Sequence, residues 1–310
     1  MPDWLIYVLI ITGSIIVLLI ILLFIFAFIV YRNTLIRKKP FPLEGSSFER
    51  AHPEVMTVRK QILNRKWEDV YIKSKDGLKL HAYYFKCPKE THKTIINVHG
   101  WYGNALDDVQ FTVSNLFDEY NILLPDLRAH GLSEGKYIGF SILDKDDILL
   151  WCDYISEKDN EATIAISGCS MGGATVMMIA SSVKDNVKAL IEDCGFYDAW
   201  DTLVFAFKFK FVPRGLILNL LNMYSKMLAH YDLKKNKAID SLKNTNKPIL
   251  FIHGDQDKMV SVNACNEAFA ICCSSKKEKH IFEDTTHAMS HLGNREIYEK
   301  MVKEFLDKYM

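Results

Sequence analysis

The residues with the clearest chemical pattern are Gly168, Ser170 and Gly172, which form the sequence Gly-x-Ser-x-Gly. The apolar run at residues 163–166 predicts a buried strand before them, and the run at 174–180 predicts a buried helix after them. This order is typical of a nucleophile elbow, in which a serine hydroxyl projects from a sharp turn and side chains two residues away would collide. The alternative is a small-residue loop joining a strand to a helix, so the rest of the chain has to decide.

Candidate partners for the serine lie downstream. A serine nucleophile needs a histidine to take its proton, and that histidine needs an acid to fix its tautomer. Asp255 and Asp257 follow one predicted strand, and His287 and His291 follow the next. The chain therefore offers a nucleophile, an acid and a base in the order Ser, Asp, His.

The elements that must position these residues alternate between strands and helices. The first two predicted strands flank an Asp-Gly turn and form a hairpin. Alternating strands and helices predict a mostly parallel sheet covered on both faces, in which functional residues collect at the carboxyl ends of the strands. We predict strands at 68–73, 78–86, 94–98, 121–126, 163–166, 187–192, 247–252 and 279–283, and helices at 105–120, 143–156 and 295–309.

The amino terminus carries an uncharged apolar run at residues 5–31. At about 1.5 Å per residue it is long enough to cross a hydrocarbon core of about 30 Å. A cleaved signal peptide is the competing interpretation. However, Asp3 is the only charged side chain before the run, whereas a signal peptide has basic residues there, and no small-residue cleavage motif follows the run. We therefore predict a transmembrane helix at 4–31, a linker at 32–66 and a catalytic domain at 67–310.

The charged residues and the cysteines indicate where the protein is located and which partners it can have. Arg32, Arg37, Lys38 and Lys39 follow the span, so the positive-inside rule predicts a single-pass protein of the cell membrane with its catalytic domain in the cytoplasm. The 38 basic and 38 acidic residues balance, which argues against a nucleic-acid partner. The seven cysteines are odd in number and lack metal-ligand spacing, so we expect neither a disulfide framework nor a metal site.

From residue 67 to 310 the chain resembles the α/β-hydrolase superfamily, and most closely its esterase, acylglycerol lipase and serine-peptidase-like members. The resemblance implies a mostly parallel central sheet with helices on both faces, a small helical lid at residues 196–246, and no cofactor. The segments that carry it are His99-Gly100, Gly168-Cys-Ser-Met-Gly-Gly173, His253-Gly-Asp-Gln-Asp257 and Thr286-His287-Ala288.

The resemblance also implies roles for individual residues. Ser170 matches the nucleophile, Asp257 the acid and His287 the base. The backbone N–H groups of Trp101 and Met171 match the oxyanion hole.

Each of the two partner assignments has an alternative. Asp255 and Asp193 are other candidates for the acid, and His291 is another for the base. The second aspartate of the His253–Asp257 segment matches the family position, and His291 is interpreted as a solvated neighbour. Three further histidines are expected to hold loops, and Cys169 is expected to be a buried inert thiol pointing away from the serine; the histidines are His99, His130 and His253.

The lid segment is rich in apolar side chains, and we expect Tyr102, Phe205 and Phe209 to line the substrate pocket. Lys208, Lys210 and Arg214 among these aromatic residues are suited to anionic lipid headgroups. The alternative is an inserted helical pair that simply packs on the core.

The sequence therefore predicts a membrane-anchored serine hydrolase that cleaves an acyl ester through an acyl-enzyme. Its expected partners are a small-molecule acyl ester or peptide and the lipid bilayer. A serine peptidase acting on short peptides is the second hypothesis, and a membrane-tethered binding protein without turnover is the third.

Overall fold

The computed structural model describes residues 1–38, 50, 52–108, 113–207, 212–235 and 237–310. Within these ranges eight strands form one sheet in the order β1-β2-β4-β3-β5-β6-β7-β8. β2 pairs antiparallel with β1 and β4, and all other neighbours are parallel. The strands are β1 (Glu68–Lys73), β2 (Lys79–Phe85), β3 (Lys93–Val98), β4 (Asn121–Pro125), β5 (Thr163–Cys169), β6 (Val187–Asp193), β7 (Ile249–Gly254) and β8 (Lys277–Phe282).

Helices precede the sheet and cover it. A π-helical turn at Ser225–Ala229 and a 3-10 turn at Leu233–Lys235 lie between β6 and β7, in the segment predicted to be a lid. The α-helices are α1 (Asp3–Leu35), α2 (Pro53–Leu63), α3 (Ala105–Asp108), α4 (Asp144–Lys158), α5 (Met171–Ile179), α6 (Ala199–Ala206), α7 (Arg214–Tyr224), α8 (Ile239–Lys243), α9 (Val262–Ile271), α10 (Ser290–Gly293) and α11 (Arg295–Tyr309).

The central strands are buried on both faces, which explains their nearly continuous apolar sequences. Every residue of β4 and β7 is buried. Neighbouring residues of one strand enter different cores: Ile96 packs with Trp151 of α4, whereas Ile95 packs with Phe305 of α11. The predicted fold, a mostly parallel sheet between two helical layers, is confirmed.

The connection after β3 differs from the prediction. Among the described residues of this connection, Ala105–Asp108 is helical and Val113 to Tyr120 forms turns. Val113, Leu116 and Tyr120 are buried, and the Leu116 N–H donates to the Val113 carbonyl at 3.0 Å. The helix predicted at 105–120 is present at its start, but its second half was wrong, because short turns rather than a helix bury the apolar side chains at 113–120.

The amino-terminal helix α1 is long and apolar enough to cross a membrane by its length and composition. It continues past residue 31 to Leu35, whose carbonyl accepts a hydrogen bond from the Ile138 N–H at 2.9 Å. Its last turn therefore contacts the segment between β4 and α4 directly.

Candidate active site

Ser170 lies in the turn between β5 and α5. Its φ of 55° and ψ of −115° are a strained conformation for a residue with a side chain. A Cβ on Gly168 would lie 2.4 Å from the Gly172 carbonyl carbon, and one on Gly172 would lie 2.0 Å from the Val98 oxygen. The Ser170 N–H donates to the Asp193 carbonyl at 2.8 Å and holds the turn against β6. The two glycines are thus required by close backbone approach, as the sequence predicts.

Three side chains from three separate strand ends meet at this turn. His287 follows β8, and its Nε2 lies 2.9 Å from Ser170 Oγ. Its other ring nitrogen, Nδ1, lies 2.6 Å from Asp257 Oδ2, and Asp257 follows β7. The structure therefore brings together the serine, histidine and aspartate that the sequence singles out.

Asp257 is buried but extensively hydrogen-bonded. Its Oδ1 accepts the N–H groups of Met259 and Val260 at 2.7 and 2.9 Å. Its Oδ2 lies 3.2 Å from His253 Nε2 in addition to its bond with His287. Burial alone would raise the pKa of this carboxyl, but the bonds from His253 and His287 hold the pKa well below its usual value. Asp257 is therefore ionised at neutral pH.

The ionised Asp257 acts on the protonation of His287. Burial alone would lower the pKa of His287, but the hydrogen bond to the ionised Asp257 raises it above its usual value. The carboxylate accepts a hydrogen bond from Nδ1–H, which fixes the tautomer of the neutral ring. Its unprotonated nitrogen, Nε2, then faces Ser170.

We expect the pH dependence of hydrolysis to report this interaction. His287 accepts a proton only when neutral, and its raised pKa keeps it protonated to a higher pH than a free histidine. The acid limb of kcat/KM is therefore expected above the ordinary histidine value of 6.5. Asp255→Asn, whose carboxyl lies off this interaction, should leave the limb in place. A wild-type limb below 6.5 would contradict the assignment.

The alternative acids make other contacts. Asp255 Oδ1 accepts the Thr285 N–H at 3.3 Å. The Asp193 carboxyl accepts the Ser290 hydroxyl at 3.1 Å, and burial raises its pKa to about 6. Within the described residues, the carboxylate hydrogen-bonded to His287 is that of Asp257.

His291 is not the solvated neighbour that the sequence analysis expects. It is buried, with Nε2 3.1 Å from Glu299 Oε1 and its ring 5.1 Å from that of Tyr298. The chain enters α10 at Ser290 and turns into α11, so His291 points into the interface between these helices rather than towards Ser170.

His99 and His130 contact backbone groups of the loops at this edge of the sheet, and His99 joins the loop after β3 to the loop after β4. His99 Nδ1 lies 2.8 Å from the Gly100 oxygen, and its Nε2 accepts the Leu127 N–H at 3.0 Å. His130 Nδ1 lies 3.0 Å from the Arg128 oxygen. His253 combines such a loop contact with its bond to Asp257.

Trp101 and Met171, the predicted oxyanion-hole residues, line the same cavity as Ser170 and His287. The Met171 N–H is one of the first N–H groups of α5, which lack partners within the helix. A Cβ on Gly100 would lie 3.5 Å from Ser170 Cβ, so the segment before Trp101 passes beside the serine. This placement is compatible with both amides facing the oxygen of a carbonyl attacked by Ser170.

The cavity over Ser170 has a volume of about 170 Å³ and mostly apolar walls, which include Phe140, Phe196, Leu203, Phe207 and Met259. Tyr102 and Phe205 are not among the described residues that line it, and Phe209 lies outside the described residues. The Tyr102 hydroxyl donates to the Asn33 carbonyl of α1. The segment predicted to be a lid thus contributes to the cavity through neighbours of the predicted residues, such as Leu203 and Phe207.

Two residues near the site, Thr34 and Cys194, are not among those that the sequence patterns indicate. Thr34 of α1 lines the cavity, and no local sequence signal connects it to Ser170. Cys194 follows the carboxyl end of β6, a position that could have been noticed. Its Sγ lies 3.7 Å from that of Cys169, and burial raises the pKa of its thiol, which keeps it neutral. Donor atoms of Cys194, Asp257 and His287 lie within 4.8 Å of one another, a set able to contact a soft metal ion.

The fold and the site together define an α/β hydrolase. Comparison with known proteins gives the family. A model described as the prolyl oligopeptidase family matches residues 143–310, more than half of the chain. The chain belongs to this family.

Several known proteins are similar to the chain. The uncharacterized protein YqkD of Bacillus subtilis is 30% identical over 227 residues, 72% of this chain and 74% of its own length. The α/β hydrolase domain-containing protein WAV2 of Arabidopsis thaliana is 27% identical over 80% of each chain. A solved esterase of Pyrococcus furiosus shares the fold with a TM-score of 0.66 and 22% identity, covering 88% of this chain and 98% of its own.

Proposed function

We propose that the protein is a serine hydrolase that works through an acyl-enzyme. The observation that carries the proposal is the hydrogen-bonded series from Ser170 through His287 to Asp257 at the wall of an apolar cavity. Ser170 Oγ attacks the substrate carbonyl while His287 Nε2 takes its proton, and Asp257 stabilises the resulting imidazolium.

The next steps follow from the same geometry. The tetrahedral oxyanion is stabilised by the Trp101 and Met171 amides, each donor contributing about 2.7–4 kcal/mol. His287 then protonates the leaving group, and the carbonyl re-forms as an ester of Ser170. Water, deprotonated by His287, attacks that ester, and Ser170 recovers its proton as the acid leaves.

An ester with an apolar acyl chain is the substrate class that we favour. The cavity walls contain aromatic and aliphatic side chains, which suit a chain of methylene groups. The solved Pyrococcus furiosus protein of the same fold is an esterase. Membership of the prolyl oligopeptidase family favours a second candidate, the hydrolysis of short peptides.

A substrate series separates the two candidates. We expect kcat/KM for p-nitrophenyl esters to rise from acetyl to octanoyl, because added methylene groups fill the apolar cavity. Aminoacyl p-nitroanilides on the same preparation should react far more slowly. A maximum at acetyl would exclude the apolar acyl chain, and faster turnover of the anilides would favour the peptidase.

We also propose that α1 anchors the enzyme in the membrane with the hydrolase domain in the cytoplasm. The contacts between the end of α1 and the domain support a retained helix rather than a cleaved signal sequence. Arg32, Arg37 and Lys38 support the orientation. A reporter that works only in the cytoplasm should be active when fused to the carboxyl terminus, and one that works only outside the cytoplasm should be inactive. The opposite result would reverse the orientation.

A further inference from the structure

The last turns of α1 are built into the hydrolase domain along one face. Ala27, Tyr31, Thr34 and Leu35 are buried, whereas most earlier residues of the helix are exposed. Their spacing places them on a single stripe of an α-helix. The helix therefore ends as a packed element of the enzyme rather than as a free tether.

Hydrogen bonds fix this stripe beside the site. The Trp101 indole donates to the Thr34 carbonyl at 2.9 Å, and Trp101 itself lines the cavity. The Tyr224 hydroxyl of the lid helix α7 donates to the Phe24 carbonyl at 3.1 Å. The ring of Tyr224 also packs edge-on against that of Phe28, with centroids 5.3 Å apart. α1 thus contacts both the loop after β3, which contains Trp101, and helix α7 of the predicted lid.

Thr34 is the point at which the anchor helix reaches the substrate cavity. It lines the cavity together with Ser170 and His287. Its hydroxyl donates to the Val30 carbonyl of the same helix at 2.8 Å. This bond satisfies the polar group, so Thr34 acts as a small wall residue rather than as a free hydrogen-bonding group.

The position of this wall relative to the bilayer is set by helix geometry. Twenty helical residues span about 30 Å, so a hydrocarbon core entered at Leu5 ends near Phe24. Thr34 lies ten residues further, about 15 Å beyond that level. The cavity is therefore held close to the membrane surface.

The lid presents apolar side chains on the same side as the anchor. Leu216, Met227 and Leu228 are exposed, and the last two follow Tyr224 by one helical turn. Exposed apolar groups next to a membrane-spanning helix are suited to contact with lipid.

We propose that the last turn of α1 forms part of the acyl-chain site, with Thr34 setting chain length for esters whose chain resides in the bilayer. This inference rests on the proposed ester hydrolysis and on the proposed membrane anchoring by α1. The acyl chain leaves the bilayer alongside α1 and the lid and enters the cavity past Thr34, with its carbonyl at Ser170.

Opposite changes of side-chain volume at Thr34 test the proposal. The full chain is reconstituted in phosphatidylcholine vesicles containing octanoyl, dodecanoyl or octadecanoyl monoacylglycerol. Thr34→Ala enlarges the cavity and should raise the ratio of octadecanoyl to octanoyl kcat/KM about tenfold, since one methylene group in a pocket is worth that much. Thr34→Leu should lower the ratio by a similar factor. If the two substitutions merely destabilised the protein, they would not shift this ratio in opposite directions.

Matched controls and outcomes keep the inference separate from the proposed function. Thr12→Ala and Thr12→Leu make the same changes on an exposed part of α1 and should leave the ratio unchanged. Equal ratios in wild type, Thr34→Ala and Thr34→Leu would overturn the inference, as would hydrolysis of p-nitrophenyl acetate without any monoacylglycerol turnover. Absence of turnover of every ester by the wild type would instead overturn the proposed function. If Thr34→Leu fails to fold, Thr34→Ala against Thr12→Ala decides the question.

Discussion

Replacement of Asp257 by asparagine is expected to lower kcat about 10⁴-fold, as the loss of the acid does in other serine hydrolases. The amide retains the size of the carboxyl, but the N–H groups of Met259 and Val260 hold its oxygen, so its NH₂ group faces His287 and donates to Nδ1. The imidazole then favours the tautomer in which Nε2 carries the proton and faces Ser170. It also loses the charge that stabilises its protonated form. Steady-state kinetics with a p-nitrophenyl ester measure the effect.

Asp255→Asn is the matched control, two residues away in the same loop. Its carboxyl accepts the Thr285 N–H rather than a ring nitrogen of His287. We expect this variant to keep most of its activity. A larger loss in Asp255→Asn than in Asp257→Asn would show that the wrong carboxylate has been assigned.

Replacement of Gly172 by alanine is the second change with a large expected effect. The new Cβ would lie 2.0 Å from the Val98 carbonyl oxygen, which no side-chain rotation relieves because both atoms belong to rigid elements. Separating β3 from α5 should cost about 3 kcal/mol in the free energy of unfolding. The accompanying displacement of Ser170 should lower kcat about 10²-fold.

Gly215→Ala provides the control for the glycine change. Gly215 lies in α7, and a Cβ there meets no atom within 4 Å. Alanine in a helix is favoured over glycine by about 1 kcal/mol, so stability should stay the same or rise slightly. Urea unfolding and ester hydrolysis on both variants make the comparison. Wild-type stability and activity in Gly172→Ala would contradict the account of the elbow.

The parts of the site that could be predicted are those controlled by local sequence. The elbow glycines follow from steric contact within a few residues, and the apolar runs fix the strands whose carboxyl ends collect the polar groups. Asp257 and His287 belong to separate strand ends, yet a parallel sheet brings such ends to one edge. This is why their proximity to Ser170 could be anticipated.

The parts that could not be predicted depend on packing between distant segments. Thr34 reaches the cavity because α1 continues beyond its apolar run and docks on Trp101 and Ile138, which no pattern in either segment indicates. His291 shares helical spacing with His287, but the junction of α10 and α11 turns it inward. In the predicted lid segment, Leu203 and Phe207 line the cavity instead of the predicted Phe205. The segment has apolar side chains at many positions, and only tertiary packing selects which of them face the cavity.

Covalent labelling with a fluorophosphonate probe tests whether Ser170 is an activated nucleophile, because only an activated serine reacts with such a reagent. We expect one adduct on the full-length wild-type protein, located at Ser170 by peptide mass spectrometry, and no adduct on Ser170→Ala. We also expect ester hydrolysis to fall in proportion to the labelled fraction as the probe is titrated. An unlabelled wild-type protein would contradict the claim and favour a binding protein without turnover, and equal labelling of Ser170→Ala would place the nucleophile elsewhere.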